Sequence, residues 1–361
     1  MSPELLLTAR LAAHGFEPAK FESPFEVVQA LGAVQAQDYG QSLWAIGSRI
    51  PGSTRSDVEN AINRFEIIRT WSMRGTIHFV PAEDAKWMLD LLTPRITAKL
   101  KPRRTLLNIS DDTLTHCGSI LKKELRGNTL LSRPRIFQLF EDAGESTTNQ
   151  RGYHILLELA QRGLIFIGPN EGKQPTFGLL DEFVESRNLT RNESLRELAV
   201  RFFASHAPAT VADFAYWSGL TLTDARHAVD LASDTLKQFE IDGVIHLADT
   251  SFVAPSAAIT HSVHLMAGFD EYLLPYRNRH TIIDADHADY VVPGGNGVFK
   301  PMLVMNGRVV GVWARQVKSK STKVTMSVFP GISVAADQLT PALAAYEHFV
   351  GTPIESIFIK L

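Results

Sequence analysis

The sequence has one cysteine, Cys117, so no disulfide can form within the chain, which fits a reducing compartment. It has no apolar run long enough to span a bilayer. Leu5-Leu6-Leu7 is interrupted by Glu4 and Arg10, and reads as a short amphipathic helix ending near Gly15 rather than as a signal segment. The twelve histidines form no HExxH pattern and no Cys/His cluster, so no catalytic metal is expected. There is no GxGxxG or phosphate-loop pattern either, and neither a nucleotide nor any other cofactor is expected. With 45% apolar and 21% charged residues, the 361-residue chain is ordinary for a globular protein and has room for roughly two to four domains.

Overall positive charge is also missing, since the net charge is −3. Phosphate binding depends on local charge, however, and the local distribution is uneven. Between Lys86 and Arg135 there are 11 basic and 4 acidic residues, including the run Arg95, Lys99, Lys101, Arg103 and Arg104. Between Lys300 and Lys323 there are 6 basic residues and no acid, among them Lys318, Lys320 and Lys323. Each cluster is either a solvated face balanced by acids elsewhere or a phosphate-binding surface.

The stretch that organises the chain is Gln35-Ala36-Gln37, two amides one residue apart. Ser23, Pro24 and Glu26 open a helix expected to run to Val34, with Phe25, Val28, Leu31 and Val34 on one face. Inside a regular helix, side chains two apart point about 200° away from each other. Gln35 and Gln37 therefore share a site only if the helix stops and the chain turns extended, as Asp38 and Gly40 favour. Otherwise the two glutamines cap helix carbonyls or face water.

Further along, a helix over 55–64 precedes Ile67 to Val80, a β-rich stretch with a single Gly75 that reads as a strand pair or a bulged strand. A helix after Pro81 turns Trp87, Leu91 and Leu92 inward and leads to the basic run at Arg95. Ser110, Ser132 and Thr147 then open three helices, and the strand at 164–168 and its return through 176–180 form a hairpin. Three helices and a hairpin is the order of a winged helix, whose third helix, here bearing Gln150, Arg151, His154 and Arg162, is the one offered to a groove. The order recurs over 192–247, where Asp242-Gly243 is a strong hairpin signal. The fold class expected is α+β. It consists of a first winged-helix unit over 1–105 carrying the glutamine motif, a second over 106–187, a third over 188–255, and a mostly β, barrel-like domain over 256–361 with a hairpin at Asn306-Gly307.

These residues carry a resemblance. Gln35-Ala36-Gln37-Asp38, the stretch from Arg69 to His78, Gly268-Phe269-Asp270-Glu271-Tyr272-Leu273-Leu274 and the stretch from Asn306 to Trp313 together resemble the AlkZ/YcaQ family of bacterial DNA glycosylases over nearly the whole chain. The resemblance implies a C-shaped protein of three winged-helix units closed by a C-terminal β domain, which cuts alkylated guanine from DNA. It places the catalytic residues in a Gln-apolar-Gln motif in one branch and Gln-x-Asp in the other, and Gln35 and Gln37 match the first. The implied partner is double-stranded DNA bearing alkylated purines, with a monomeric protein in the bacterial cytoplasm, associated with the nucleoid and not with membrane.

The chemistry agrees with the residue types. Glutamine does not titrate near neutrality, so its oxygen can only orient a water and interact with developing positive charge. That suffices when the leaving group is already good, as with N7-alkylated guanine, which is cationic and leaves neutral without a general acid. No lysine adjoins the motif, so no Schiff base is expected, although a distant lysine such as Lys86 is an open alternative. In this reading Arg95, Lys99, Lys101, Arg103, Arg104, Lys318, Lys320 and Lys323 hold phosphates, and Asp38, Arg74 and His78 are candidate neighbours of the site. An Asp after a helix is more often a cap, and a histidine such as His78 more often packed or at the surface than at a site. Asp270 and Glu271 are adjacent and point to opposite faces, against a paired acid–base role. The alternative function is a non-catalytic winged-helix DNA-binding protein such as a transcriptional regulator.

Overall fold

Ser23 opens its helix as expected, its side chain accepting the Glu26 N–H at 3.2 Å, but the helix runs only Pro24–Leu31. It stops short of Val34 because Gly32 takes φ +77°, a conformation that terminates helices and suits glycine. Val34–Gln35 is already extended. The computed structural model describes residues 1–318 and 320–360 and has a mixed α+β fold. It divides into two compact units, Met1–Val58 with the chain from Arg196 onward, and Glu59–Leu195. Among the described residues, no helix is long and apolar enough to cross a membrane.

In the Glu59–Leu195 unit, Ile67–Met73 and Thr76–Pro81 are a strand pair rather than one bulged strand. Their turn is Arg74 at φ +52° and Gly75 at φ +79°, the left-handed pair whose twist matches a tight hairpin. These strands continue into Ile165–Glu171, Gln174–Leu179 and Leu131–Ser132, giving an antiparallel array. The basic run lies within the helix Ala85–Leu106, not beyond it, despite Pro94 and Pro102. Asp111–Glu124, Arg133–Asp142 and Arg151–Gln161 follow, in the expected order of three helices and a hairpin. The third starts later than Thr147 because Asn149 and Gln150 both have positive φ. Leu114, Leu121, Phe140, Ile155 and Phe177 fill the core between these elements, with Trp71 of the first strand packed among them.

In the other unit, Val211–Ser218, Leu222–Leu231 and the hairpin Leu236–Ile241/Val244–Asp249 form as expected, with Asp242 and Gly243 both at positive φ in the turn. Val263–Met266, Met302–Met305, Arg308–Val317 and Thr322–Val328 form an antiparallel sheet, to which Ile354–Lys360 adds a parallel edge after the helix Ala336–Val350. The barrel-like expectation is therefore corrected, because the sheet is open, with Val263–Met266 and Ile354–Lys360 as its two edges. The helix Ala336–Val350 lies against the first edge, and Trp44 Nε1 donates to Leu265 O there at 2.6 Å. The edge that a closing strand would need is thus occupied.

Asn306 at φ +52° and Gly307 at φ +83° make the turn of this sheet's central hairpin, and a Cβ on Gly307 would stand 2.7 Å from Leu7 Cβ. Both the left-handed backbone and the close approach require glycine. We expect Gly307→Ala to cost about 2–4 kcal/mol. The check is a lowered urea midpoint with an unchanged m-value.

Candidate functional site

The helix ends before the glutamine motif, and the chain is extended as far as Gln35 and bends at Gln37 and Asp38. Gln35 is 8% exposed and sits at the end of the extended Val34–Gln35 pair, with its backbone N–H donated to Glu271 Oε1 at 3.3 Å. Ala36 is buried, while Gln37 and Asp38 are exposed. Asp38 is a cap, but of the next helix, Tyr39–Gly47: its Oδ1 accepts the Gln41 N–H at 3.0 Å. Arg315 Nη2 stands 3.9 Å from Asp38 Oδ1, and Arg315 Nη1 donates to the Tyr346 hydroxyl at 3.1 Å. A side chain on Gly40 would collide with that guanidinium, so glycine there admits Arg315 to the segment.

Beneath the segment lies the turn Gly268–Leu274, where Phe269 holds φ +58°. Asp270 and Glu271 serve different partners. Asp270 accepts two bonds from Arg49, at 2.7 and 3.1 Å, and both side chains are fully buried. Arg49 also donates to His14 O at 3.0 Å and to Ala45 O at 2.5 Å, which fixes the guanidinium in one plane. Glu271 Oε2 accepts the indole N–H of Trp217 at 2.9 Å. Gln41 Oε1 accepts the Gly268 N–H at 3.0 Å, tying the helix after the motif to the same turn. Tyr276 donates its hydroxyl hydrogen to His206 O at 2.9 Å and accepts from His14 Nε2 at 3.0 Å. Burial holds the His14 and His206 imidazoles below their ordinary range, so both are neutral near pH 7.

The other candidates divide between the two units. In Glu59–Leu195, His78 is buried and pushed down to about 3, by burial first and by the neighbouring Arg74 second. Its Nδ1 donates to Thr76 O at 3.0 Å and its Nε2 accepts from Arg74 Nη2 at 3.3 Å, as a neutral imidazole would. It is a packed and not a surface histidine. Arg95, Lys99 and Lys101 are exposed on the helix Ala85–Leu106. Arg103 Nε donates to His154 at 3.3 Å, and Arg104 is bound to Asp111 at 2.9 Å and to Ile109 O. On the third helix, Arg151 is bound to Glu145 at 2.7 Å and Arg162 to Asp111 at 2.8 Å. Arg103, Arg104, Arg151 and Arg162 thus hold their own unit together.

In the other unit, Lys318 pairs with Glu355 at 2.9 Å, Lys320 is exposed, and Lys323 is half-buried on the open face of Thr322–Val328. Cys117 is buried, its thiol pushed up to about 12 by burial, so it is no nucleophile. Among the described residues, no group of three or more His, Cys, Asp or Glu is arranged to hold a metal. The residues that the sequence did not mark are Arg49, Trp217, Gln41 and Arg315. Glu271 stood in a flagged stretch, but its part as a backbone acceptor had no local signal.

The family model for AlkZ-like DNA glycosylases matches residues 28–349. The interstrand DNA cross-link repair glycosylase of Streptomyces sahachiroi is 26% identical over 322 residues, covering 84% of this chain and 85% of that protein. The solved structure of Streptomyces sahachiroi DNA glycosylase AlkZ has a TM-score of 0.83 at 23% identity, covering 99% of this chain and 100% of that one. With the family model spanning most of its length, the chain belongs to the AlkZ-like DNA glycosylases.

Proposed function

We propose that the protein is a monofunctional alkylpurine DNA glycosylase, which hydrolyses the N-glycosidic bond of N7-alkylated guanine and also unhooks interstrand crosslinks built on that base. The observation that carries this is that the helix ends ahead of the motif and leaves Val34–Gln35 extended, with Gln35 held in a buried setting and Gln37 open to solvent. In this role Gln35 and Gln37 orient a water and face the sugar as it becomes oxocarbenium-like. The cross-link activity named for the Streptomyces relative supports extending the substrate to tethered bases.

DNA is the partner, and no cofactor is required. The helix, helix, helix, hairpin orders over 111–179 and 191–249 support second and third winged-helix units, within the divisions 106–187 and 188–255. A first unit over 1–105 carries the motif, and 256–361 closes the chain. The exposed Arg95, Lys99, Lys101 and Lys320, together with Arg103, Arg104, Lys318 and Lys323, provide the phosphate surface, and the protein acts as a cytoplasmic monomer at the nucleoid.

The test is single-turnover base release from duplexes differing only in one base. N7-methylguanine is expected to be released, and uracil or oxidised guanine left in place, because an amide pair offers no proton to a poor leaving group. The release rate is expected to be flat through the near-neutral range. Glutamine does not titrate there, and His78, the candidate neighbour, stays neutral down to about pH 3. A sigmoidal or bell-shaped profile would put a titrating acid or base in the mechanism and remove this one. Tight binding of a preferred undamaged sequence without release from any duplex would establish the regulator instead.

A further inference from the structure

We infer that Glu271 is the positioning residue of the glutamine motif: its buried carboxylate holds the extended backbone at Gln35, with Trp217 orienting the carboxylate. This rests on Gln35 being catalytic, as proposed above. Val34–Gln35 lies between the helices Pro24–Leu31 and Tyr39–Gly47, outside the helical bonding of either. The Gln35 N–H is directed to Glu271 Oε1, 236 positions away in sequence.

Glu271 is 1% exposed, and a buried carboxylate is costly unless its oxygens receive hydrogen bonds. Among the described residues it has two such donors, the Gln35 N–H at 3.3 Å on Oε1 and the Trp217 Nε1–H at 2.9 Å on Oε2. His206 Nε2 lies 3.9 Å from Oε2, beyond hydrogen-bonding distance. Trp217 acts twice. Its ring edge lies against Gly32, where a Cβ would be 3.3 Å from Cη2, so the indole that orients the carboxylate also supports the turn into the segment. At the far end, Gln41 accepts the Gly268 N–H, so the turn 268–271 grips the motif from both sides.

The chemistry calls for a carboxylate and not an amide. Two donors converge on one side chain, so both of its oxygens must accept; a glutamine would turn an NH2 toward either the indole or the Gln35 N–H. A backbone released at this point would let the Gln35 amide drift, and displacement of a catalytic group by about 1 Å can cost on the order of 100-fold in rate.

The experiment measures saturating single-turnover release of N7-methylguanine and duplex Kd for wild type, Glu271→Gln, Glu271→Ala, Gln35→Ala and the Gln35→Ala/Glu271→Ala double variant, with amide hydrogen exchange at Gln35 read in parallel. We expect Glu271→Ala to slow release by about 10- to 100-fold with Kd unchanged. Glu271→Gln should fall between it and wild type. The double variant should be no slower than Gln35→Ala, and protection of the Gln35 amide should drop in both Glu271 variants. Should Glu271→Ala fail to fold, the nearly isosteric Glu271→Gln carries the test, through an intermediate rate with reduced Gln35 protection.

Wild-type rate and protection in the Glu271 variants would overturn the assignment. So would losses that multiply in the double variant, because a merely structural residue acts independently of Gln35. If wild type releases the base and Gln35→Ala releases it equally fast, the catalytic role of Gln35 fails and the assignment falls with it. That pattern is distinguishable from an active wild type with a dead Gln35→Ala and an unaffected Glu271→Ala.

Discussion

Gln35→Ala is expected to slow single-turnover release of N7-methylguanine by on the order of 10²–10³-fold, the loss typical of removing one preorganised polar group from a developing charge. Gln37→Ala should lose a similar amount. Neither residue carries charge, so the phosphate term in duplex affinity stays constant and the loss is confined to the chemical step. The burial difference adds a second expectation. Gln35 is nearly enclosed, and truncating it leaves a small cavity, so Gln35→Ala should also lower stability slightly. Gln37 is exposed, and Gln37→Ala should leave the urea midpoint unchanged. The double variant is expected to be little worse than either single one, because two groups orienting one water act as a unit. Variants that bind duplex and release the base at wild-type rate would end the catalytic role of the pair.

Much of the scaffold was legible because its signals are local. Ser23 and Ser110 each start a helix by accepting a backbone N–H three residues on. Asp242-Gly243 and Asn306-Gly307 take the left-handed pair of conformations that tight hairpins need. The helix ahead of the motif ends early because Gly32, read as one more helical position, takes φ +77° and decides the matter. Asp38 was correctly a candidate cap, yet its helix lies after it, since either neighbour fits a capping residue until the fold is known.

The candidate site was legible in a different way. Gln35 and Gln37 were marked by resemblance and by a condition on backbone geometry, of which the structure gives the first half: the helix ends ahead of the motif and the chain is extended as far as Gln35. What holds the segment was not legible, because its partners are far off in sequence: Glu271 is 236 positions from Gln35, and Gly268 is 227 from Gln41. Adjacent acids in a turn carry no mark of which backbone they will receive. The open sheet was missed for a similar reason, since strand count alone does not say that Trp44 and the helix Ala336–Val350 will occupy an edge.

Asp270→Ala is expected to cost about 3–5 kcal/mol of stability, the largest single effect on the fold, because it leaves the Arg49 guanidinium buried without its counter-charge. Arg49 lies wholly inside, and its other bonds, to His14 O and Ala45 O, satisfy donors without neutralising charge. Arg49→Ala should cost a comparable amount by stranding the carboxylate. The double variant Arg49→Ala/Asp270→Ala separates the two contributions. If the cost is mainly that of an unpaired buried charge, removing both partners is expected to be less damaging than the sum of the single losses, by about 1–3 kcal/mol in urea unfolding. Additive losses would mean that the pair contributes packing and little electrostatic coupling. Asp270 also accepts the Tyr272 N–H at 2.8 Å within the turn that presents Glu271 to Gln35, so the folded fraction of Asp270→Ala should release base more slowly than wild type as well. A stable Asp270→Ala protein with wild-type release would show that the turn keeps its shape without the ion pair, and that Arg49 needs no counter-charge where it lies.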